Sequence, residues 1–344
     1  MESTSPTPLQ RGRDVADHVL RSARRRVAAR TGLVQAPEVD HRRRNEAFGA
    51  ARRLGVLHIP KSAGSSVSAA LEAALADRNW SPYDFDPAMF GPLLAEPVPP
   101  TEVPRVLPDP ARLRDVDAAS GHYALSTMLV GFDPADIVLL LREPRSRLLS
   151  HYEYWRGLPA DLRDTDSTWS VITHARELGF DEWLCDRRTA FQTDNVVLRT
   201  LLNGHAAIPE DDFLDSAELA ILVPLAIRRA ASIGWVDVVE RGPAMWDGLA
   251  ARVDRPLARP RVNTTERRSD LPTDVSAVFS DRAVDALHHR TVADRAIWIA
   301  AARRRGLSDV DLLGERTWYR RLRTTLDAQS ASGSAPGSPA PKSG

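Results

Sequence analysis

The run Ile137-Val-Leu-Leu-Leu141 carries an apolar side chain at every position. Successive side chains of a strand point to opposite faces, so a strand of this kind must be covered on both. That calls for a parallel sheet between layers of helix, each strand reached by a crossover. The flanking sequence supplies the pattern. Gly55-Val-Leu-His-Ile59 reads as a strand followed by a helix over 65–76, and the 137–141 strand leads into a helix over 144–155. A third strand is expected at 233–238, before a helix over 242–253. Further helices are expected over 181–185 and onward, 189–202, 212–230, 280–289 and 292–305. The fold class is α/β, a three-layer fold with a central parallel sheet and additional helices.

A chain of 344 residues gives a soft prior of two domains, although α/β folds reach this size as one. Residues 1–53 form a basic arm with 12 Arg against 6 acidic residues. Val15, Val19, Ala23 and Val27 recur every four residues there, the pattern of a short helix. Such an arm packs on the body as a solvated face, or makes peripheral contact with a membrane surface or acidic partner. The body spans 54–328 and contains a Pro-rich, acidic stretch, 81–117, that reads as an irregular insertion. Residues 329–344 form a low-complexity Ser/Pro/Gly/Ala tail expected to be disordered.

The 46 basic and 46 acidic residues cancel, which argues against a nucleic-acid coat as the main design. The single cysteine, Cys185, fits a reducing compartment and excludes a Cys-ligated zinc cluster. No apolar run of membrane-spanning length and no secretory leader pattern is present, so a cytoplasmic location is expected. Among the 46 basic residues only Lys61 and Lys342 are lysine, and Lys342 falls in the tail. An arginine-rich background reflects composition, but the one lysine retained in the body marks a place to look.

Lys61 lies in His58-Ile-Pro-Lys-Ser-Ala-Gly-Ser-Ser66, between the first strand and its helix. Backbone N–H groups of a tight turn, together with a helix N-terminus, make an anion cradle. Lys61 adds a mobile charge, Ser62 and Ala63 continue the turn, and Gly64 permits close approach. Ser65 and Ser66 add hydroxyl donors. A strand–turn–helix with a Ser cap would need no ligand at all. The order differs from G-x-x-x-x-G-K-[ST], because lysine precedes the glycine, which argues against an ordinary ATP-hydrolysing loop.

This segment resembles the 5′-phosphosulfate loop H-I-P-K-T-A-G-T-S of the family-2 sulfotransferases, which use 3′-phosphoadenosine 5′-phosphosulfate (PAPS) as donor. The resemblance covers residues 54–305 and includes uronyl 2-O-sulfotransferase-like and bacterial members. It implies a P-loop-like form of the three-layer fold. A second segment, Arg142-Glu-Pro-Arg-Ser-Arg-Leu-Leu-Ser150-His-Tyr152, resembles the family's 3′-phosphate segment R-D-P-x-x-R-x-x-S-x-Y, with Glu143 in place of Asp. Arg142 and Ser150 carry over as 3′-phosphate ligands, and Arg147 is a further candidate. Between the two stands Gly121-His122, where the family places G-H with the histidine as general base. An imidazole suits removal of a hydroxyl proton. His151 competes for that role, but helical geometry turns it about 100° from Ser150, which favours His122.

Weaker similarities support the same register. Phe191-Gln-Thr-Asp-Asn195 with Leu201-Leu-Asn-Gly204 resembles the Q-T-R-x-L-x-G helix near the adenosine, with Asp194 in place of Arg. Residues 233–241 resemble the V-G-L-x-E-R-F strand and turn and read as core. Val262-Asn-Thr-Thr-Glu-Arg-Arg268 resembles a late V-N-x-[ST] loop, in which Arg267 and Arg268 are candidates to clamp the 3′-phosphate. The resemblance implies sulfuryl transfer from PAPS, with no metal, to an acceptor hydroxyl of a glycan, glycolipid or small metabolite. Lys61 and His122 would be the catalytic residues. The alternatives are a nucleotide or small-molecule kinase on the same architecture, which would depend on magnesium and ATP, and a non-catalytic nucleotide-binding module.

Overall fold

A computed structural model describes residues 53–89, 105–157, 170–209, 212–260 and 280–308. Most of the basic arm, residues 90–104 of the Pro-rich stretch, the 267–268 arginine pair and the tail lie outside the described residues.

Four parallel strands form one sheet: β1 (Leu54–Leu57), β2 (Ala118–Gly121), β3 (Ile137–Leu141) and β4 (Trp235–Val238), in the order β2-β1-β3-β4. The helices are α1 (Gly64–Ala74), α2 (Leu125–Gly131), α3 (Pro144–Gly157), α4 (Ser170–Glu177), α5 (Phe180–Cys185), α6 (Ala190–Thr193), α7 (Val196–Leu201), α8 (Ser216–Ser232), α9 (Pro243–Val253) and α10 (Asp281–Arg304). The alternation within β3 explains the apolar run. Ile137, Leu139 and Leu141 join a core with residues of α2, α7, α8 and α10, while Val138 and Leu140 join one with α1 and α9. Both faces of the sheet are therefore covered, giving three layers. A separate aromatic core joins Tyr152 and Trp155 of α3 to Phe180 and Trp183 of α5. No described helix is long and apolar enough to cross a membrane.

Several elements depart from the sequence expectation. β2 was not expected, because Ala118-Ala-Ser-Gly121 has no β-branched or aromatic side chain. Its small residues answer a close crossing: a Cβ at Gly121 would stand 2.5 Å from the Asp84 carbonyl oxygen. The expected 189–202 helix is broken at Asn195, whose backbone is left-handed (φ 48°). Its amide side chain stabilises that break, donating to the His289 carbonyl at 3.2 Å and accepting from the Ala293 N–H at 2.9 Å. The two helices expected over 280–289 and 292–305 are one, α10. Thr291 lies buried inside it, its hydroxyl donating to the Leu287 carbonyl one turn back (2.7 Å). The 212–230 helix starts later, at Ser216, because Asp215 caps it by accepting from the Glu218 N–H.

The described parts of the Pro-rich stretch are mostly irregular but are packed into the body. Leu107 and Leu113 are fully buried, and Pro110–Asp115 forms a 3-10 helix. Residues 84–86 run beside the end of β2. The His122 N–H donates to the Asp84 carbonyl (2.7 Å), and the Ala124 N–H donates to Asp86 Oδ2 (2.9 Å).

Candidate functional site

In this strand order the chain leaves β1 to one side for β2 and returns on the other side for β3. A crevice opens at such a switch point, beyond the carboxyl ends of the strands. The loop after β1 carries Lys61, the end of β2 carries His122, and the end of β3 carries Arg142. Segments 64 and 81 residues apart in sequence meet there: His122 Nδ1 lies 2.9 Å from the His58 carbonyl, and Arg142 Nη1 donates to the Lys61 carbonyl at 3.2 Å.

The loop backbone is strained at two positions. Lys61 and Ala63 both adopt left-handed conformations (φ 65° and 60°), with Ser62 between them. Each costs about 1–2 kcal/mol in a residue with a Cβ, and Arg142 on the Lys61 carbonyl helps hold the first. Alternation of this kind can turn successive N–H groups to one concave side, although the Ser62 N–H itself donates to the Ile59 carbonyl at 3.2 Å. The N-cap of α1 is Ala63, which has no side chain to cap the helix, so the Ser cap of the ligand-free alternative is not formed. Ser62 is 1% exposed, and its hydroxyl has no hydrogen-bonding partner among the described residues. Ser65 and Ser66 are half-buried in the first turn of α1.

Gly64 also answers to a neighbouring side chain. A Cβ there would fall inside the imidazole of His58, which occupies the space above the first turn of α1. That ring stacks on His122, with centroids 4.3 Å apart and planes 28° from parallel. The ring of Phe85 closes against His122 at 5.5 Å. A carbonyl only accepts hydrogen bonds, so the contact to the His58 oxygen places the His122 proton on Nδ1 and makes Nε2 the basic nitrogen of the neutral ring. Burial pushes the His122 pKa down to about 4, partly opposed by that hydrogen bond. The imidazole is therefore neutral at physiological pH.

Lys61 is half-buried, with Nζ 4.0 Å from the centroid of the Tyr154 ring. Its pKa falls to about 8, through burial first and the neighbouring Arg142 second, against the opposing pull of Glu153. Arg147, a turn into α3, is fully buried, and none of its three guanidinium nitrogens has a hydrogen-bonding partner among the described residues. Burial brings its pKa to about 10, with Asp294 opposing and Arg142 adding to the drop. Ser150 is half-buried one turn further along. Glu143 caps this helix, accepting from the Ser146 N–H (2.8 Å) and from Arg145 Nε (2.7 Å). Its own N–H donates to Glu240 at 2.7 Å. The longer carboxylate thus fills a capping role at the start of α3.

His151 lies close to His122 and to the charged groups of the site. It is buried against Trp155, at a 4.1 Å ring separation, and feels the charges of Arg147, Lys61 and His122. Burial and those charges hold its pKa well below the ordinary value. His122 is the more accessible of the two.

Asp194, which stands where the resemblance led to an arginine, is a buried structural hub. It pairs with Arg199 at 2.7 Å and accepts from the Leu214 N–H at 2.9 Å. Gln192, beside it, is buried with neither amide atom partnered among the described residues. His58, Phe85 and Tyr154 belong to the site and were assigned no role from sequence. Only Tyr154 left a trace there, four residues after Ser150 and so on the same face of α3. Compared with models of known protein families and with curated proteins, the chain matches none.

Proposed function

We propose that this chain is a sulfotransferase that moves the sulfuryl group of PAPS to an acceptor hydroxyl, on a P-loop-like variant of the three-layer fold. The observation that carries the reading is the convergence of a lysine-bearing nest, a neutral imidazole and a pair of arginines at one switch point. The residues fit the donor. The unpartnered Ser62 hydroxyl and the concave backbone of 62–66 suit a 5′-phosphosulfate. Arg142, Ser150 and the unpartnered guanidinium of Arg147 suit a 3′-phosphate. Arg267 and Arg268 remain part of the proposal as further ligands.

Each residue has a separate task in the transfer. His122 Nε2 takes the acceptor proton as the acceptor oxygen bonds to sulfur. Lys61 neutralises the charge that collects on the phosphate oxygen as its bond to sulfur breaks. The nest and the arginines hold donor and acceptor in line, which supplies much of the rate. A bound polyanion beside His122 raises its pKa from about 4 toward the neutral range, making it a stronger base at the moment it is needed. With positive side chains neutralising the donor, the reading requires no metal. The acceptor is a hydroxyl of a glycan, a lipid-linked sugar or a small metabolite, and the protein works in the cytoplasm.

The test has two arms. The wild type should be retained on immobilised adenosine 3′,5′-bisphosphate, and Lys61→Ala should lose that retention. In a screen of radiolabelled sulfate transfer across acceptor classes, His122→Ala should keep the bisphosphate but lower transfer about 100- to 10,000-fold. ATP turnover with no bisphosphate retention would replace the reading with a kinase. Retention with no transfer to any acceptor would leave a binding module.

A further inference from the structure

The geometry points to Tyr154 as the positioning residue of Lys61: its ring is the platform on which the lysine ammonium rests at the mouth of the crevice. The inference deepens the sulfotransferase reading, because the use of Lys61 in donor binding rests on it, whereas the platform does not.

Lys61 is held at three points. Its backbone is left-handed, its carbonyl accepts from Arg142 Nη1 at 3.2 Å, and its Nζ sits 4.0 Å from the Tyr154 centroid. The first two set where the side chain leaves the loop. Only the third sets where its charge ends up. An unbranched stem with four rotatable bonds would otherwise sweep a wide arc. The face of an aromatic ring attracts a cation, and more strongly when both are partly withdrawn from water, as here. Tyr154 is carried by α3, the helix that also presents Arg147 and Ser150. The two proposed anion sites are therefore linked mechanically, since a shift of α3 moves the lysine and the arginine together.

The ring also acts on the charge state. Lys61 faces Arg142 from the end of β3, Glu153 and His151 from α3, and His58 from the loop after β1. Arg142 disfavours the ammonium and Glu153 favours it; both histidines are held neutral by burial and by the surrounding positive charge. Against that background, Tyr154 stabilises the charged form. Removing the ring face should weaken the ammonium in the free protein and release the side chain from its resting place.

The chain carries only two lysines, so the experiment can read Lys61 by itself. The pH dependence of amine acylation at Lys61, followed by mass spectrometry of its peptide, gives its titration midpoint. The wild type should titrate near pH 8. Tyr154→Phe, which keeps the ring, should match it. Tyr154→Leu should titrate about half a pH unit lower, a roughly three-fold change in the amine-to-ammonium ratio. Because leucine also changes the packing, Tyr154→pentafluorophenylalanine is the decisive variant, since it keeps the size of the ring and inverts its face potential. It should follow leucine, and both should weaken adenosine 3′,5′-bisphosphate binding several-fold while phenylalanine does not. A midpoint unchanged in the fluorinated variant overturns the platform. A shifted midpoint in a protein that binds no bisphosphate in any form overturns the donor reading and leaves the platform standing.

Discussion

Gly64→Ala separates a glycine kept for a ligand from one kept for a neighbouring side chain. At the first position of α1 an alanine would ordinarily be favourable, by up to about 1 kcal/mol in helix propensity. Here its Cβ would occupy the space of the His58 imidazole. That ring cannot simply swing aside, because it is stacked on His122 at 4.3 Å in a wall that also includes Phe85. Forcing extra volume into a packed site costs about 1–3 kcal/mol, so the substitution should destabilise by up to about 2 kcal/mol net. In a His58→Ala background the imidazole is gone. The same substitution should then be neutral or stabilising by about 0.5–1 kcal/mol. The two backgrounds thus differ by a coupling energy of about 1–3 kcal/mol, large enough to resolve by urea unfolding of the four proteins. Equal cost in both backgrounds would refute the reasoning, and would mean that Gly64 answers to something other than His58.

Two further outcomes follow from buried charge and burial. Asp194→Ala should cost about 3–5 kcal/mol in urea unfolding, because it strands the guanidinium of Arg199, which is 5% exposed; a loss below 1 kcal/mol would remove Asp194 as the hub of that region. Acid should destabilise the protein through its depressed histidines. A folded pKa of about 4 for His122, against about 6.5 unfolded, contributes stability that is present above pH 6.5 and is lost as pH falls toward 4. By pH 5 the loss from His122 is about 2 kcal/mol, and His58 and His151 add to it with the same sign. Asp294, raised to about 6, acts in the opposite sense over part of this range, so the comparison is best made between wild type and His122→Asn. The variant should show a shallower fall in unfolding free energy from pH 7 to 5. An identical pH profile would contradict the depressed value.

The parallel sheet, its two covered faces and the helices after β1 and β3 were legible from local pattern. An all-apolar run in a short strand has few ways to be buried, and Pro144 suits the first turn of a helix. The loop residues Lys61 to Ser66 and the strand-end Arg142 were legible for the same reason, because position along the chain places them at the ends of strands. β2 was not legible. Ala118-Ala-Ser-Gly121 has the small side chains that its close crossing with Asp84 demands, and those are the residues local propensity disfavours in a strand. The break at Asn195 was hidden as well, since it depends on hydrogen bonds to residues more than ninety positions away in sequence.

By itself, then, the sequence determined the layered architecture and that the segments after β1 and β3 end at the crevice, because those follow from periodicities of two and of 3.6 residues. Tertiary structure alone decided what each of those residues meets. It placed a histidine ring over Gly64, a carbonyl on His122 Nδ1, a tyrosine face under Lys61 and a buried, unpartnered guanidinium beside Arg142. Such pairings join different strand ends, and no local pattern encodes them. They are settled when the faces of the sheet are covered and the switch point brings the carboxyl ends of three strands together.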